Sequence, residues 1–455
     1  MRWLLSAAIG FWGVGTLPAQ PRVAPLPRPI APCSLTAGGI VLNTTNEVAN
    51  LPPGTLVSQP LTPVESLETA AIPEQENRTE AVAEDLENVL TARSEPRGLG
   101  DSWDNYEFLL WWPKSQPLPP MVAANRFSRP GLGSSDTHVL IGGRSLDPPD
   151  QAGGRFTLGR SFTTDNSLGL EATYFFLGTR TETASVRSLD YPQLGFLGVP
   201  FFDPVTRTPS AIVLASPGAS SARIDVSTTT RAQGAEMNVV SCLVDRSNLR
   251  VRGLAGYRFL QVHEGLRSEA FFVNSPVSRG TPTTIGQIAD QFDAHNRFNG
   301  GQLGLTFDVS RGSMFVEFVG KVALGTNFEV VRVEGQTNTL VGYQPLGLAE
   351  SVPRGVFAEP TNIGRYTRSV FAVVPEAMLK VGLKLNERGR FFAAYNVLYL
   401  SDAVRPGDQI DTTVNPGQIQ ALGSPSHLGP DRPLPTISRT DFWMQGLVLG
   451  LEGRY

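Results

Sequence analysis

Cysteine is almost absent: only Cys33 and Cys242 occur, too few for a disulfide-stapled secreted scaffold or a cysteine-rich metal site. Histidine is equally sparse, at His138, His263, His295 and His427, so a catalytic nucleophile would have few bases to draw on. No Gly-x-Ser-x-Gly elbow, phosphate-cradling loop or His-Glu-x-x-His pair is present, and the Asp and Asn pairs lack calcium-loop spacing. His295 follows Asp293 closely, but a histidine at a strand entry is more simply read as a solvated residue than as a base. These absences argue against an enzyme and predict no metal and no cofactor. A basic excess is also missing: 38 basic residues face 42 acidic ones, a net charge of −4, which excludes nucleic acid as a partner. Beyond the first residues there is no apolar run long enough to cross a membrane as a helix.

What is plentiful is glycine and proline, 46 and 36 residues, a composition suited to many short strands joined by irregular connections. The chain opens with Arg2, an apolar stretch from Trp3 to Leu17 and a small-residue site at Leu17-Pro18-Ala19. Residues 1–19 therefore read as an export signal peptide. Residues 20–103 are rich in proline and then acidic from Glu65 to Glu87; such a segment cannot bury much apolar surface and reads as a largely disordered periplasmic lead.

From residue 104 the texture changes to alternating segments. Ten of them can be laid out, at 105–112, 155–162, 168–177, 222–243, 249–262, 303–309, 314–324, 370–385, 391–400 and 442–455. They are joined alternately by turns of a few residues and by long stretches at about 113–154, 179–221, 263–296, 326–369 and 401–441. Transmembrane barrels have short periplasmic turns and longer outer loops, and an even strand count returns both ends to one side. The fold class predicted over 104–455 is thus all-β, an antiparallel transmembrane β-barrel of about ten strands, with twelve as the alternative. A soluble periplasmic β-domain would show the same alternation strand by strand, but not this loop asymmetry.

The faces fit a lipid exterior. In 249–259 the odd positions Leu249, Val251, Ala255, Tyr257 and Phe259 oppose Arg250, Arg252 and Arg258. Met314, Val316, Phe318 and Val322 oppose Glu317 and Lys321, while Phe371, Val373, Leu379 and Val381 oppose Glu376, Lys380 and, further on, Lys384. With Glu171, Glu236 and Glu452, these charged residues are the lumen-lining candidates. Their mixed signs predict pairing across a narrow lumen that closes it. Trp111, Trp112, Tyr174, Phe175, Tyr257, Phe259, Tyr395 and Tyr399 are candidates for interfacial aromatic girdles. The last strand ends on Tyr455, a terminal aromatic that reads as a barrel-assembly signal.

Several stretches resemble a planctomycete-type family of outer-membrane β-barrel, porin-like proteins. They are Tyr106-Glu-Phe-Leu-Leu-Trp-Trp112, Val139-Leu-Ile-Gly-Gly143, Ala152-Gly-Gly-Arg-Phe-Thr-Leu-Gly159, Gly169-Leu-Glu-Ala-Thr-Tyr-Phe-Phe176, the run from Asp290 to Gly304, and Lys321-Val-Ala-Leu-Gly325. The resemblance covers about 104–455 and implies a fold and a location, with no substrate and no functional residue. The function expected is a porin-like or structural outer-membrane barrel with a narrow charged lumen and long extracellular loops. An adhesion barrel, with loops carrying Phe201 and Phe202, is the alternative. The partners expected are outer-membrane lipid, barrel-assembly machinery, and small solutes or a surface partner.

Overall fold

The computed structural model describes residues 102–145, 150–163, 167–190, 192–274, 283–343, 346–419 and 428–455. The expected signal peptide at 1–19 and nearly all of the lead at 20–103 lie outside them, as does Cys33; Cys242 carries a free thiol.

The strands in chain order are β1 (Ser102–Pro113), β2 (Val122–Asn125), β3 (Thr137–Ile141), β4 (Gln151–Ser161), β5 (Leu168–Arg187), β6 (Phe196–Asp203), β7 (Thr208–Ala215), β8 (Ser220–Arg246), β9 (Leu249–Asn274), β10 (Thr283–Arg311), β11 (Met314–Tyr343), β12 (Leu346–Val352), β13 (Gly364–Lys384), β14 (Gly389–Ala403) and β15 (Thr440–Arg454). Antiparallel pairing runs β10-β9-β8-β5-β4-β1-β15-β14-β13-β11, and β11 returns to β10, closing a ring of ten strands. The first and last strands seal it: Ser102 N donates to Tyr455 O (3.0 Å) and Tyr455 N to Ser102 O (2.8 Å). Closure leaves no exposed edge in the ring, the condition for a sheet to stand in lipid.

Outward positions of the lower strands form an apolar belt. On β11 it runs from Met314 through Val316, Phe318 and Val322 to Leu324, matching the ~9–11 residues that a tilted strand needs to cross hydrocarbon. On β10 it comprises Val309, Phe307, Leu305 and Leu303, and on β13 Leu383, Val381, Leu379 and Phe371. No helix among the described residues is long and apolar enough to cross a membrane; the crossing is made by strands. Pro375 faces outward in β13, where it removes one ladder donor. Pairing of β13 with β14 begins only at Glu376↔Leu398, and Val373 N donates instead to Ser401 Oγ (2.9 Å).

Two long connections differ from expectation. Most of 263–296 and 326–369 is strand, because β9, β10, β11 and β13 continue past the lipid belt. The apolar face changes sides there. Outward positions become polar (Gln261, His263, Arg267 and Glu269 on β9; Arg332, Glu334 and Gln336 on β11), while Val262, Leu266, Val331 and Val333 turn inward and are buried. A pattern sought with apolar residues outside ends where the surroundings change from lipid to water. The first two long connections also fold, into a separate antiparallel sheet ordered β3-β2-β6-β7. Its Val122, Ala124, Leu197, Val199, Phe201, Ile212 and Leu214 form one buried cluster with inward wall residues Ile224, Leu266, Phe292 and Val333. Phe201 is therefore core and not an outer contact; Phe202, its neighbour, is partly exposed.

Candidate functional site

The lumen is the natural place for a function, and strand alternation decides what enters it. Near the periplasmic turns, Trp103 Nε1 donates to Glu171 (3.1 Å), Arg454 pairs with Glu452 (2.8 Å) and Arg390 with Asp308 (2.6 Å). Above them a continuous chain of ion pairs crosses the barrel. Arg252 meets Glu317 (3.6 Å), Glu317 meets Lys380 (3.1 Å), Lys380 meets Glu107 (3.9 Å) and Glu107 meets Arg155 (3.2 Å). Arg155 continues to Glu376 (3.1 Å), Glu376 to Arg258 (2.6 Å), Arg258 to Glu236 (3.5 Å) and Glu236 to Lys321 (2.9 Å). These residues come from β1, β4, β8, β9, β11 and β13, so the chain links opposite walls. Amides complete it: Gln302 donates to Glu236 (2.8 Å), Asn396 to Glu376 (2.9 Å) and Asn105 to Glu107 (3.0 Å).

Isolated charges would not survive in a space this dry; they are held because each has an opposite partner and added hydrogen bonds. Two cavities among these side chains hold about 60 Å³ and, at the periplasmic mouth, about 150 Å³, room for a few waters at roughly 30 Å³ each. Aromatic rings lie against the cations: Arg155 stands 5.2 Å from the Trp111 ring, Lys380 4.7 Å from Phe392 and Arg390 4.8 Å from Phe315. The Phe392 and Phe315 rings lie flat against the wall because Gly450 and Gly382 carry no Cβ; one built there would come within 2.3 and 2.6 Å of the respective rings.

Over the charges sits an apolar layer of Trp111, Phe175, Leu177, Leu260, Phe298, Val374, Leu398, Leu400, Phe442 and Met444. Trp111 and Phe175 thus point into the lumen and are not girdle residues, unlike Tyr174, Tyr257 and Tyr395, which face outward. Higher still, Arg405 in the β14–β15 connection reaches the wall. It forms a two-pronged pair with Glu264 (2.7 and 2.9 Å) and donates to the carbonyls of Ser115 (2.6 Å) and Lys114 (3.0 Å). The turn at 354–363 is seated by Asp290, whose Oδ1 accepts from the N–H groups of Val356, Phe357 and Ala358 at 2.8–3.0 Å.

Of the residues singled out from the sequence, Glu236, Arg252, Arg258, Glu317, Lys321, Glu376 and Lys380 come together in the chain of pairs, while Glu171 and Glu452 stand just below it. Arg250 and Lys384 do not join them. Arg250 pairs with Asp245 (3.2 Å) at the exposed rim, and Lys384 lies at the end of β13 beside the 385–388 turn. Sequence reading missed Glu107, Arg155, Asp308 and Arg390. Each stands between outward apolar or glycine neighbours, as in Tyr106-Glu107-Phe108 and Phe307-Asp308-Val309, so the same alternation would have found them. His263 and His295, stacked at 3.9 Å between centroids, lie on the outer wall, with Asp293 Oδ1 3.9 Å from His263. No group of three or more His, Cys, Asp or Glu side chains able to hold a metal occurs among the described residues.

No curated protein sequence matches the chain. Among solved structures, similar folds include the outer membrane protease OmpT from Escherichia coli (12% identity, 78% of this chain and 97% of that one, TM-score 0.39). Others are the translocator domain of the autotransporter NalP from Neisseria meningitidis (11%, 83% and 98%, TM-score 0.21) and a FadL homologue from Pseudomonas aeruginosa (8%, 78% and 90%, TM-score 0.18). At such TM-scores these likenesses carry no weight beyond company; the barrel stands on its own ring closure and lipid belt. Residues 103–455 match the family described as "Putative beta barrel porin-7", and the chain belongs to that family of outer-membrane β-barrels.

Proposed function

We propose that this protein is a sealed, non-catalytic outer-membrane barrel, exported through its first 19 residues and inserted by barrel-assembly machinery that reads the terminal Tyr455. Its role is structural: it holds a water-facing cap, built from its own connections, at the outer surface. The observation that carries this reading is the filling of the lumen at every level, by paired charges, then by an apolar layer, then by the β3-β2-β6-β7 sheet. A solute path would have to strip several buried ions of their partners, at several kcal/mol each. Wide sixteen-stranded porins have no such obstruction.

Among the described residues no activated nucleophile stands beside a histidine, which supports the non-catalytic part. His263 and His295 stack on the outer face of the wall, away from the lumen. The test is uptake by proteoliposomes. With the purified full chain inserted, permeation of small sugars should match that of protein-free vesicles, and a clear size-dependent uptake would replace the sealed barrel with a channel.

A further inference from the structure

Some outward charges above the lipid belt are neutralised along their own strands, whereas others, such as Arg180, Arg187 and Arg231, are not. Arg223 pairs with Asp225 (2.9 Å), Arg267 with Glu269 (3.3 Å) and Arg332 with Glu334. Two of the unpaired arginines border one groove. Arg297 on β10 and Arg365 on β13 are exposed, and their guanidinium groups have no ion pair or hydrogen bond to another described residue. Between them lies an outer groove of about 630 Å³, lined also by Asn299, Phe328, Thr367 and Ser369.

Three features set this groove apart from the other unpaired arginines. First, Arg365 stands directly opposite Arg332 in the β11–β13 register, a like-charge facing that costs stability unless a counter-charge is supplied; Glu334 serves only Arg332. Second, the one carboxylate lining the groove, Glu329, is taken by Arg368 through contacts of 2.6 and 2.9 Å. Asp293, two strands from Arg365 in the same register row, accepts from Gln291 (2.8 Å) and does not line the groove. Third, the groove is continuous with the belt: Phe328, Leu324 and Phe371 are exposed below the two guanidinium groups. A ligand here meets cationic forks at one end and an apolar wall at the other.

We propose that this groove binds the phosphate-bearing headgroup of an outer-leaflet lipid. Arg297 and Arg365 hold the phosphate, since planar guanidinium groups match its oxygens in pairs, and the acyl chains run down over Phe328 and Phe371. The proposal rests on the barrel standing in the outer membrane, and not on whether its lumen conducts.

The experiment is native mass spectrometry of the detergent-solubilised full chain with added diphosphorylated lipid A. Wild type is expected to retain one lipid. The R297Q/R365Q double variant should lose retention at least tenfold, and R207Q, altered at an exposed turn elsewhere, should keep it. Phosphate-free lipid A should not be retained by wild type. Equal retention by wild type and the double variant, or of the phosphate-free lipid, overturns the proposal. So does full displacement by inorganic phosphate, which would make this a free-anion site. A heat-dependent shift in gel mobility, run on every variant, separates loss of the site from loss of the barrel.

Discussion

Glu359 is a carboxyl buried with neither oxygen hydrogen-bonded, and its one nearby cation, Arg354, is 3.9 Å away. Burial, with the charge of Asp290 added and Arg354 opposing, pushes its pKa up to about 9, against about 4.3 in an unfolded chain. Between those values the unfolded state has released a proton that the folded state keeps, so stability falls as pH rises through this window. Glu359→Gln should remove the slope. The variant and the wild type should be equally resistant to proteolysis of the cap near pH 4.5, and the variant should gain steadily up to about pH 9. Parallel curves across that range would show that Glu359 is already charged in the fold. Arg405 and Glu264 pose the opposite case, a buried pair in which each needs the other. Arg405→Met should cost about 3–5 kcal/mol, and adding Glu264→Leu should recover part of it, as measured by denaturant unfolding in lipid vesicles. At this scale alternation placed most of the lumen charges, as with Lys380 between Leu379 and Val381, but it also pointed to Arg250 and Lys384, which lie at strand ends outside the network. The sequence was not legible for Arg405 or Asp290, whose partners lie on other elements far along the chain.

The strands carry two environments on one ribbon. In β10 the outward face passes from Val309, Phe307, Leu305 and Leu303 to Asn299, Arg297, His295 and Gln291 without a break in pairing. The same substitution should therefore have two outcomes on one strand. Leu305→Arg should destabilise the folded barrel in lipid by about 2–4 kcal/mol, whereas Gln291→Arg should change it by less than about 0.5 kcal/mol. Similar costs at both positions would mean that the belt has been placed wrongly. This change of environment is also why strand positions were readable and strand lengths were not. The turn between β10 and β11 announces itself in Arg311-Gly312-Ser313, but the far ends of both strands have the periodicity of a water-facing sheet. The β3-β2-β6-β7 sheet was hidden for a related reason. Its short strands lie among Pro, Gly and Ser, and they are apolar because they bury against the barrel wall, not because they alternate.

For the whole molecule, ring size and filling belong together. Ten strands give a lumen only slightly wider than one that side chains fill by themselves, and here Arg, Lys and Glu chains span it while aromatic rings and the cap occupy the rest. The family membership fixes the architecture and the membrane; the paired lumen is the ground for the proposed sealing. The most direct measurement is the current across a planar lipid bilayer after insertion of the purified full chain, with insertion verified by heat-dependent gel mobility of the same sample. The filled lumen predicts a baseline no different from the bare bilayer. Stable, ohmic current steps would contradict it and show that the charged chain opens in the membrane.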